Sequence, residues 1–207
     1  MVEQTKTRCI PTTCLSDALG GLNNLDPSIK PIHEKFKVRG KAFTVKVRAA
    51  DNLMVLRAIY EAEPGDVLVI DAKGYEYNAV CGDFVIGLAQ ILGIQGVVID
   101  GVVRDIRGIK ELNFPVFCKG STIAASGKSG AGETNVPISC GGVVVHPGDL
   151  VVGDADGVIV IPKARTEEVL QLAIIKLQKD KEREDKALSS PEAARRYLAN
   201  LFAEKVK

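Results

Sequence analysis

Three short runs of uninterrupted apolar residues, Asp66 to Asp71 (DVLVID), Gly96 to Asp100 (GVVID) and Pro115 to Cys118 (PVFC), constrain this chain most. A strand that faces water on one side alternates apolar and polar residues. One that is apolar throughout has to be covered on both faces, which is the habit of parallel strands inside α/β proteins. Lys41 to Val47 (KAFTVKV) does alternate and reads as a half-buried strand. Gly142 to His146, Leu150 to Val152 and Gly157 to Ile161 form a closely spaced β cluster separated by Gly and Pro turns.

Helices are interleaved with these runs. Asp51 can cap a helix from Asn52 to about Glu61, with Val55, Leu56, Ile59 and Ala62 on one face. Asp83 can cap the next, over Phe84 to Leu92. Leu170, Ala173, Ile174 and Leu177 make a later apolar stripe, and the charged stretch Lys179 to Lys186 (KDKEREDK) behind it reads as a solvated helical face. Ser190 and Pro191 start a last helix whose expected buried face is Ala194, Tyr197, Leu198 and Leu201. The expectation is one α/β domain over residues 1–207, with a β-rich core and C-terminal helices. A chain of 207 residues can bury one good core but not two large ones.

Composition narrows the function classes. Lys and Arg total 27 against 26 Asp and Glu, with no basic, aromatic-rich stripe, so nucleic acid is not the expected partner. No apolar run approaches the ~20 residues that span a bilayer, and the N-terminus lacks a secretory apolar core, so a cytoplasmic protein is expected. The five cysteines, Cys9, Cys14, Cys81, Cys118 and Cys140, are scattered without zinc-site spacing and read as small apolar residues. Cys81 beside Gly82 invites a reactive-thiol reading, although packing is the plainer role.

Two motif-like segments reduce to turn chemistry. Pro64 to Gly74 (PGDVLVIDAKG) echoes Pro147 to Gly157 (PGDLVVGDADG), which reads as two similar hairpin entries. The same turn chemistry accounts for Asp154 and Asp156 without a metal. Gly127-Lys128-Ser129 resembles a phosphate loop, but Thr122 stands where the pattern needs Gly and no helix-forming segment follows. A mobile Gly/Ser-rich surface loop is expected there.

The segment GDFVIGLAQILGIQGVVIDGVVRDIRG carries the chemistry. Asp83 and the pair Arg104-Asp105 lie 20 residues apart, joined by a helix, a strand and a Gly-containing turn that can return both ends to one rim. Two carboxylates and a guanidinium then share a cavity able to hold a hard cation together with an anionic substrate. Gly82 admits close approach, and the N–H groups of residues 83–85 open a helix, a natural seat for a carboxylate. Asp105 offers the single carboxylate that Mg²⁺ commonly takes. Arg104 is permanently charged and suits a carboxylate or an enolate oxygen.

At these residues the chain resembles the class II 4-hydroxy-4-methyl-2-oxoglutarate aldolases and the related ribonuclease-regulator (RraA-like) proteins. The shared pattern is Gly82-Asp83, 20 residues, then Arg104-Asp105, supported by Ser16-Asp17-Ala18-Leu19, Asp51-Asn52-Leu53, Pro64 to Val69, Gly101 to Val103, and Pro147-Gly148-Asp149 through Asp156-Gly157. It covers about residues 12–185, leaving about 186–207 as a helical extension. The resemblance implies a swivelling β/β/α fold and a homotrimeric ring, sometimes a stacked pair forming a hexamer, with active sites between subunits. It implies that Asp105 binds a divalent metal (Mg²⁺ or Mn²⁺), that Arg104 binds substrate and steadies an enolate, and that Asp83 orients a water. Gly82, Asp83, Phe84 and Val85 would line the pyruvyl carboxylate site, and Glu182 or Glu184 would reach a neighbouring subunit's site. The implied activity is cleavage of 2-oxo acids to pyruvate, with oxaloacetate decarboxylation through the same enolate. The rival implication is a non-catalytic regulator of a ribonuclease or another protein. Proteins of this group sometimes carry a menaquinone methyltransferase label, which no Gly-rich strand–turn–helix nucleotide signature here supports.

Overall fold

The computed structural model describes residues 10–205, so Cys9 lies outside the described residues. Its centre is a mixed sheet of strands β1 (Lys30–Pro31), β2 (Val38–Val47), β3 (Asp66–Tyr75), β4 (Gly96–Val103), β5 (Val116–Cys118), β10 (Leu150–Asp154) and β11 (Gly157–Ile161), in the order β1-β5-β4-β3-β2-β10-β11. The pairs β2–β3, β3–β4 and β4–β5 are parallel, and the flanking pairs are antiparallel. Short strands β6 (Gly120–Ser121) and β7 (Gly132–Thr134) extend the far ends of β4 and β2, while β8 (Ile138–Cys140) and β9 (Val143–Val145) form a separate hairpin. The two edges nearly meet: Lys30 Nζ on β1 donates to the Asp156 carbonyl at 2.5 Å, just before β11.

The uninterrupted runs are buried on both faces, as their composition requires. On one face Phe43, Val45, Leu68, Ile70, Val97 and Ile99 pack under helices α2 (Leu53–Glu61), α3 (Asp83–Ile91) and α4 (Ile106–Leu112). On the other, Ala42, Val67, Val69, Val98 and Phe117 pack against the β8–β9 hairpin and Val151, Val158 and Val160. Helix α1 (Thr12–Ala18) and the long helix α5 (Thr166–Ala187) close a third cluster over Val152, Ile159 and Ile161. Among the described residues no helix is long and apolar enough to cross a membrane.

Several local expectations change. β4 does not stop at Asp100. It runs on through Gly101 to Val103, so strand rather than turn delivers Arg104. Gly101 is needed for close packing, since a Cβ there would lie 3.0 Å from Ala72 Cβ. The two Pro-Gly-Asp turns share their chemistry, with Asp66 Oδ2 accepting the Glu63 N–H at 3.0 Å and Asp149 Oδ2 the His146 N–H at 2.9 Å. Only the second opens a hairpin; the first enters a parallel strand. Helix α2 buries Met54, Val55, Ala58 and Ile59, with Leu56 and Ala62 only partly covered. The last helix, α6 (Pro191–Lys205), buries Ala193 rather than the expected face. Tyr197 and Leu198 are exposed and Leu201 is half-buried, because α6 packs chiefly on α5.

Candidate active site

The site forms where the end of β4 meets the start of α3. Segment 80–82 runs beside 102–104: the Val80 N–H donates to the Val102 carbonyl at 2.9 Å, and the Arg104 N–H to the Cys81 carbonyl at 3.0 Å. These two bonds bring Asp83 and Arg104, with 20 residues between them, onto one rim. Asp105 then adopts a left-handed conformation (φ 58°), which Asp tolerates better than most side chains, and this turns the chain out of β4 into α4. The N-cap of α3 is Gly82, so Asp83 stands in the first turn rather than capping it. Its Oδ1 accepts the Phe84 N–H at 2.7 Å.

Two glycines make room for the two carboxylates. Gly82 has an extended backbone (φ −125°, ψ −170°) open to any residue, yet a Cβ there would lie 2.2 Å from Asp105 Oδ2. A Cβ on Gly108 of α4 would lie 2.3 Å from Asp83 Oδ2. Space, not backbone freedom, is what glycine supplies at both positions. Arg104 Nε pairs with Asp105 Oδ2 at 3.2 Å, both side chains being roughly two-fifths exposed.

Gly82, Asp83, Phe84, Val85, Arg104 and Asp105 line one small cavity of about 150 Å³. Sequence reasoning missed three further polar lining residues, Asn52, Ser126 and Lys128. Asn52 is 8% exposed, and neither its Oδ1 nor Ser126 Oγ has a hydrogen-bond partner. A buried polar atom left unpaired costs about 1–3 kcal/mol, so such atoms facing a cavity mark a seat for polar ligand groups. Lys128 belongs to the segment expected to be a mobile loop. The loop is instead strapped down. Gly127 exchanges backbone hydrogen bonds with Ala50 (2.8 Å) and Asn52 (3.0 Å), and the Ala79 N–H donates to the Ala124 carbonyl at 2.8 Å. Asp51 accepts the Leu53 N–H at 3.0 Å and also holds Ser129, so it sits one residue ahead of the helix's N-cap, Asn52. Burial raises the Asp51 carboxyl, but the hydrogen bonds from Ser129, Leu53 and Gly130 outweigh it and hold the group below the usual carboxylate range.

Other candidates do not join this set of groups. Glu182 and Glu184 are exposed on α5, and neither lines it within this chain. Cys81 does line it, but burial pushes its thiol far up, so it remains a protonated packing group. Asp154 Oδ1 accepts the Asp156 N–H at 3.0 Å and the Thr12 hydroxyl at 2.7 Å, which is turn and tertiary chemistry. No helix follows Ser129, so the phosphate-loop pattern lacks its structural context. Among the described residues no group of three or more His, Cys, Asp or Glu could hold a metal ion by themselves.

The family described as RraA-like, Aldolase/RraA, matches residues 12–160. This chain belongs to that family. A relative from Halalkalibacterium halodurans, named "Putative 4-hydroxy-4-methyl-2-oxoglutarate aldolase", is 58% identical over 198 residues, covering 96% of this chain and 94% of the relative. Among solved structures, an uncharacterized protein from Pseudomonas syringae matches with a TM-score of 0.80 at 29% identity, covering 92% of this chain and 90% of that one. The RNA-processing inhibitor RraA from Thermus thermophilis matches with a TM-score of 0.68 at 31% identity, covering 74% and 93%. The swivelling β/β/α architecture is therefore one that this chain has in common with these two structures.

Proposed function

We propose that the chain is a pyruvate-forming lyase acting on 4-carboxy-4-hydroxy-2-oxo acids of the 4-hydroxy-4-methyl-2-oxoglutarate type. The observation that carries this reading is the space at Gly82, which lets the Asp105 carboxylate and the Arg104 side chain close on the N-terminus of α3. The donor set suits a hard divalent cation such as Mg²⁺ or Mn²⁺: one half-exposed carboxylate, Asp105, with the remaining positions left to water and substrate. Such an ion, when bound, supplies Lewis acidity toward a 2-oxo group.

The remaining roles belong to the chain's own groups. N–H groups of residues 83 and 85, which a helix start leaves without backbone acceptors, receive the 1-carboxylate of the substrate, while that of Phe84 donates to Asp83 Oδ1. Asp83 holds the water that removes the proton from the C4 hydroxyl. The C4–O bond becomes a carbonyl, and the electron pair of the C3–C4 bond moves into a C2–C3 double bond. Arg104 faces the negative charge that develops on the C2 oxygen, and the enolate takes a proton at C3 to give pyruvate. Oxaloacetate would reach the same enolate by losing CO₂. Lys128 offers a cation to the second carboxylate, and Asn52 and Ser126 supply polar partners. Assembly as a trimer or hexamer belongs to this proposal, since Glu182 or Glu184 can serve a site only in a neighbouring copy.

The test is pyruvate release from hydroxylated oxo acids and oxaloacetate, with and without Mg²⁺ or Mn²⁺. Removing one oxyanion partner typically costs about 10²–10³-fold, so Arg104→Ala should nearly abolish turnover. Asp105→Ala should remove activity and metal dependence together. Full activity in excess chelator contradicts the scheme. Similarity to the Thermus RNA-processing inhibitor supports a second reading, a protein-binding regulator, which gains if no oxo acid yields pyruvate.

A further inference from the structure

The loop over residues 122–131 crosses from one side of the cavity to the other, and each of its cavity residues is held from both flanks. Ser126 lies between Ala125, bridged to Ala79, and Gly127, bridged to Asp51. Lys128 lies between Gly127 and Ser129. The side chain that hydrogen-bonds across to Ser129 and Gly130 is that of Asp51, 78 residues before Ser129 and 3% exposed. Its Oδ2 accepts both the backbone N–H and the hydroxyl of Ser129, and the Gly130 N–H lies 3.2 Å from Oδ2 and 3.3 Å from Oδ1. Its Oδ1 accepts the Leu53 N–H at 3.0 Å.

Every donor around this carboxylate is therefore tied either to the loop or to the start of α2, where Asn52 sits. A carboxylate offers acceptors on both oxygens, which this set of N–H and O–H donors requires. Charge-assisted bonds of this kind are about twice as strong as neutral ones. Nothing in the reaction proposed above uses Asp51 directly.

We infer that Asp51 is a positioning residue, a buried carboxylate latch that fastens the Ser129–Gly130 backbone and so presents Lys128 and Ser126, together with the adjacent Asn52, to the ligand cavity. This rests on the proposed reading for the ligand's identity but not for the latch itself. Asparagine at position 51 retains the shape and fails as a latch, because its amide turns one oxygen into a donor facing donors.

The experiment compares wild type, Asp51→Asn, Lys128→Ala and the double variant. Trypsin cleaves after Lys128, and mass spectrometry follows that cut relative to cuts in the exposed stretch 179–186. In Asp51→Asn, with the fold verified by circular dichroism, the cut after Lys128 should accelerate by about tenfold or more, in line with the loss of a charge-assisted network. With an active oxo acid as substrate, kcat/KM should fall by about tenfold, mostly through KM, since near-uniform binding is what a loosened Lys128 loses. Adding Asp51→Asn to Lys128→Ala should cost little more than Lys128→Ala alone, the signature of two residues acting through one another. An unchanged cut, or losses that simply multiply, overturns the inference. If Asp51→Asn does not fold, Ser129→Ala removes the hydroxyl donor alone, and the same cut should quicken about two- to tenfold, the range of one hydrogen bond. If wild type releases no pyruvate from any oxo acid, the proposed reaction falls while the trypsin comparison still decides the latch.

Discussion

Gly82→Ala isolates the geometry on which the proposed chemistry depends. The backbone at residue 82 is extended, so alanine brings no torsional strain. The new methyl would lie 2.2 Å from Asp105 Oδ2, 3.1 Å from Arg104 Cγ and 3.3 Å from Arg104 Nε. Ordinary non-bonded separations are about 3.5 Å, so the carboxylate oxygen has to retreat by more than about 1 Å. A displacement of about 1 Å in a catalytic constellation costs about 10²-fold. Stability responds differently. Overpacking a rigid core costs about 1–3 kcal/mol, but the Asp105 side chain is 42% exposed and can swing toward solvent. Replacing glycine also returns about 0.4–1 kcal/mol through the unfolded chain. The net change should stay within about 1 kcal/mol, or about 2–4 °C in Tm for a chain of this size. Pyruvate release coupled to lactate dehydrogenase, read beside a thermal melt, separates the two effects. A folded Gly82→Ala variant with wild-type kcat/KM refutes the claim that Asp105 and Arg104 act at this spot.

Gly108→Ala should behave otherwise, because its methyl meets Asp83 Cβ at 2.8 Å as well as Oδ2, and a Cβ moves only with its helix. A loss of about 1–3 kcal/mol in urea unfolding should accompany the loss of activity, and a variant with unchanged stability would show that α3 and α4 are not so tightly packed. Gly87→Ala in α3 is the matched control, since its methyl meets only Leu112 Cδ1, at 4.0 Å. It should raise stability by about 0.5–1 kcal/mol through helix propensity and leave pyruvate release unchanged. The Asp51 carboxyl is held below its ordinary pKa, so its stabilisation is complete above the unfolded value of about 3.9 and is lost as pH falls through the lower folded value. The stability gap between wild type and Asp51→Asn, measured by urea at stepped pH, should be flat above about pH 5 and shrink below about pH 4. A gap that widens on acidification contradicts the assignment.

What the sequence revealed follows from how local each signal was. β3, β4 and β5 were legible because burial on both faces leaves an apolar run that needs no knowledge of partners. The seven-residue α4 was missed, since Gly108 interrupts it and it is too short for Ile106, Ile109 and Leu112 to establish a period. The apolar stripe of α6 gave a helix correctly but not its burial, because periodicity identifies a face and not what covers it. Asp83, Arg104 and Asp105 stood out as charges directly following or preceding apolar elements. Asn52, Ser126 and Lys128 did not, since the loop reaches the cavity through hydrogen bonds to residues 48–52 and 77–79 that no spacing rule encodes. Gly/Ser composition suggested mobility there, and a distant buried carboxylate reverses it.

The same features bear on whether chemistry or docking shaped the site. A surface built to bind another protein places its charges on an open rim, where they steer association and need no close backbone approach. Here two glycines admit the two carboxylates to within 2.2–2.3 Å of where a methyl would stand. Asn52 keeps its Oδ1 buried and unpaired against a cavity of only about 150 Å³, too small for a protein side-chain cluster but fitting for a short oxo acid. A polar ligand in the cavity supplies that atom with a partner, and a macromolecular partner passing over the rim does not. Binding of oxalate with Mg²⁺, a planar mimic of the pyruvyl enolate, should therefore raise the thermal midpoint of wild type and leave Asn52→Leu or Arg104→Ala unshifted. An equal shift in all three would place the ligand elsewhere and favour the docking reading.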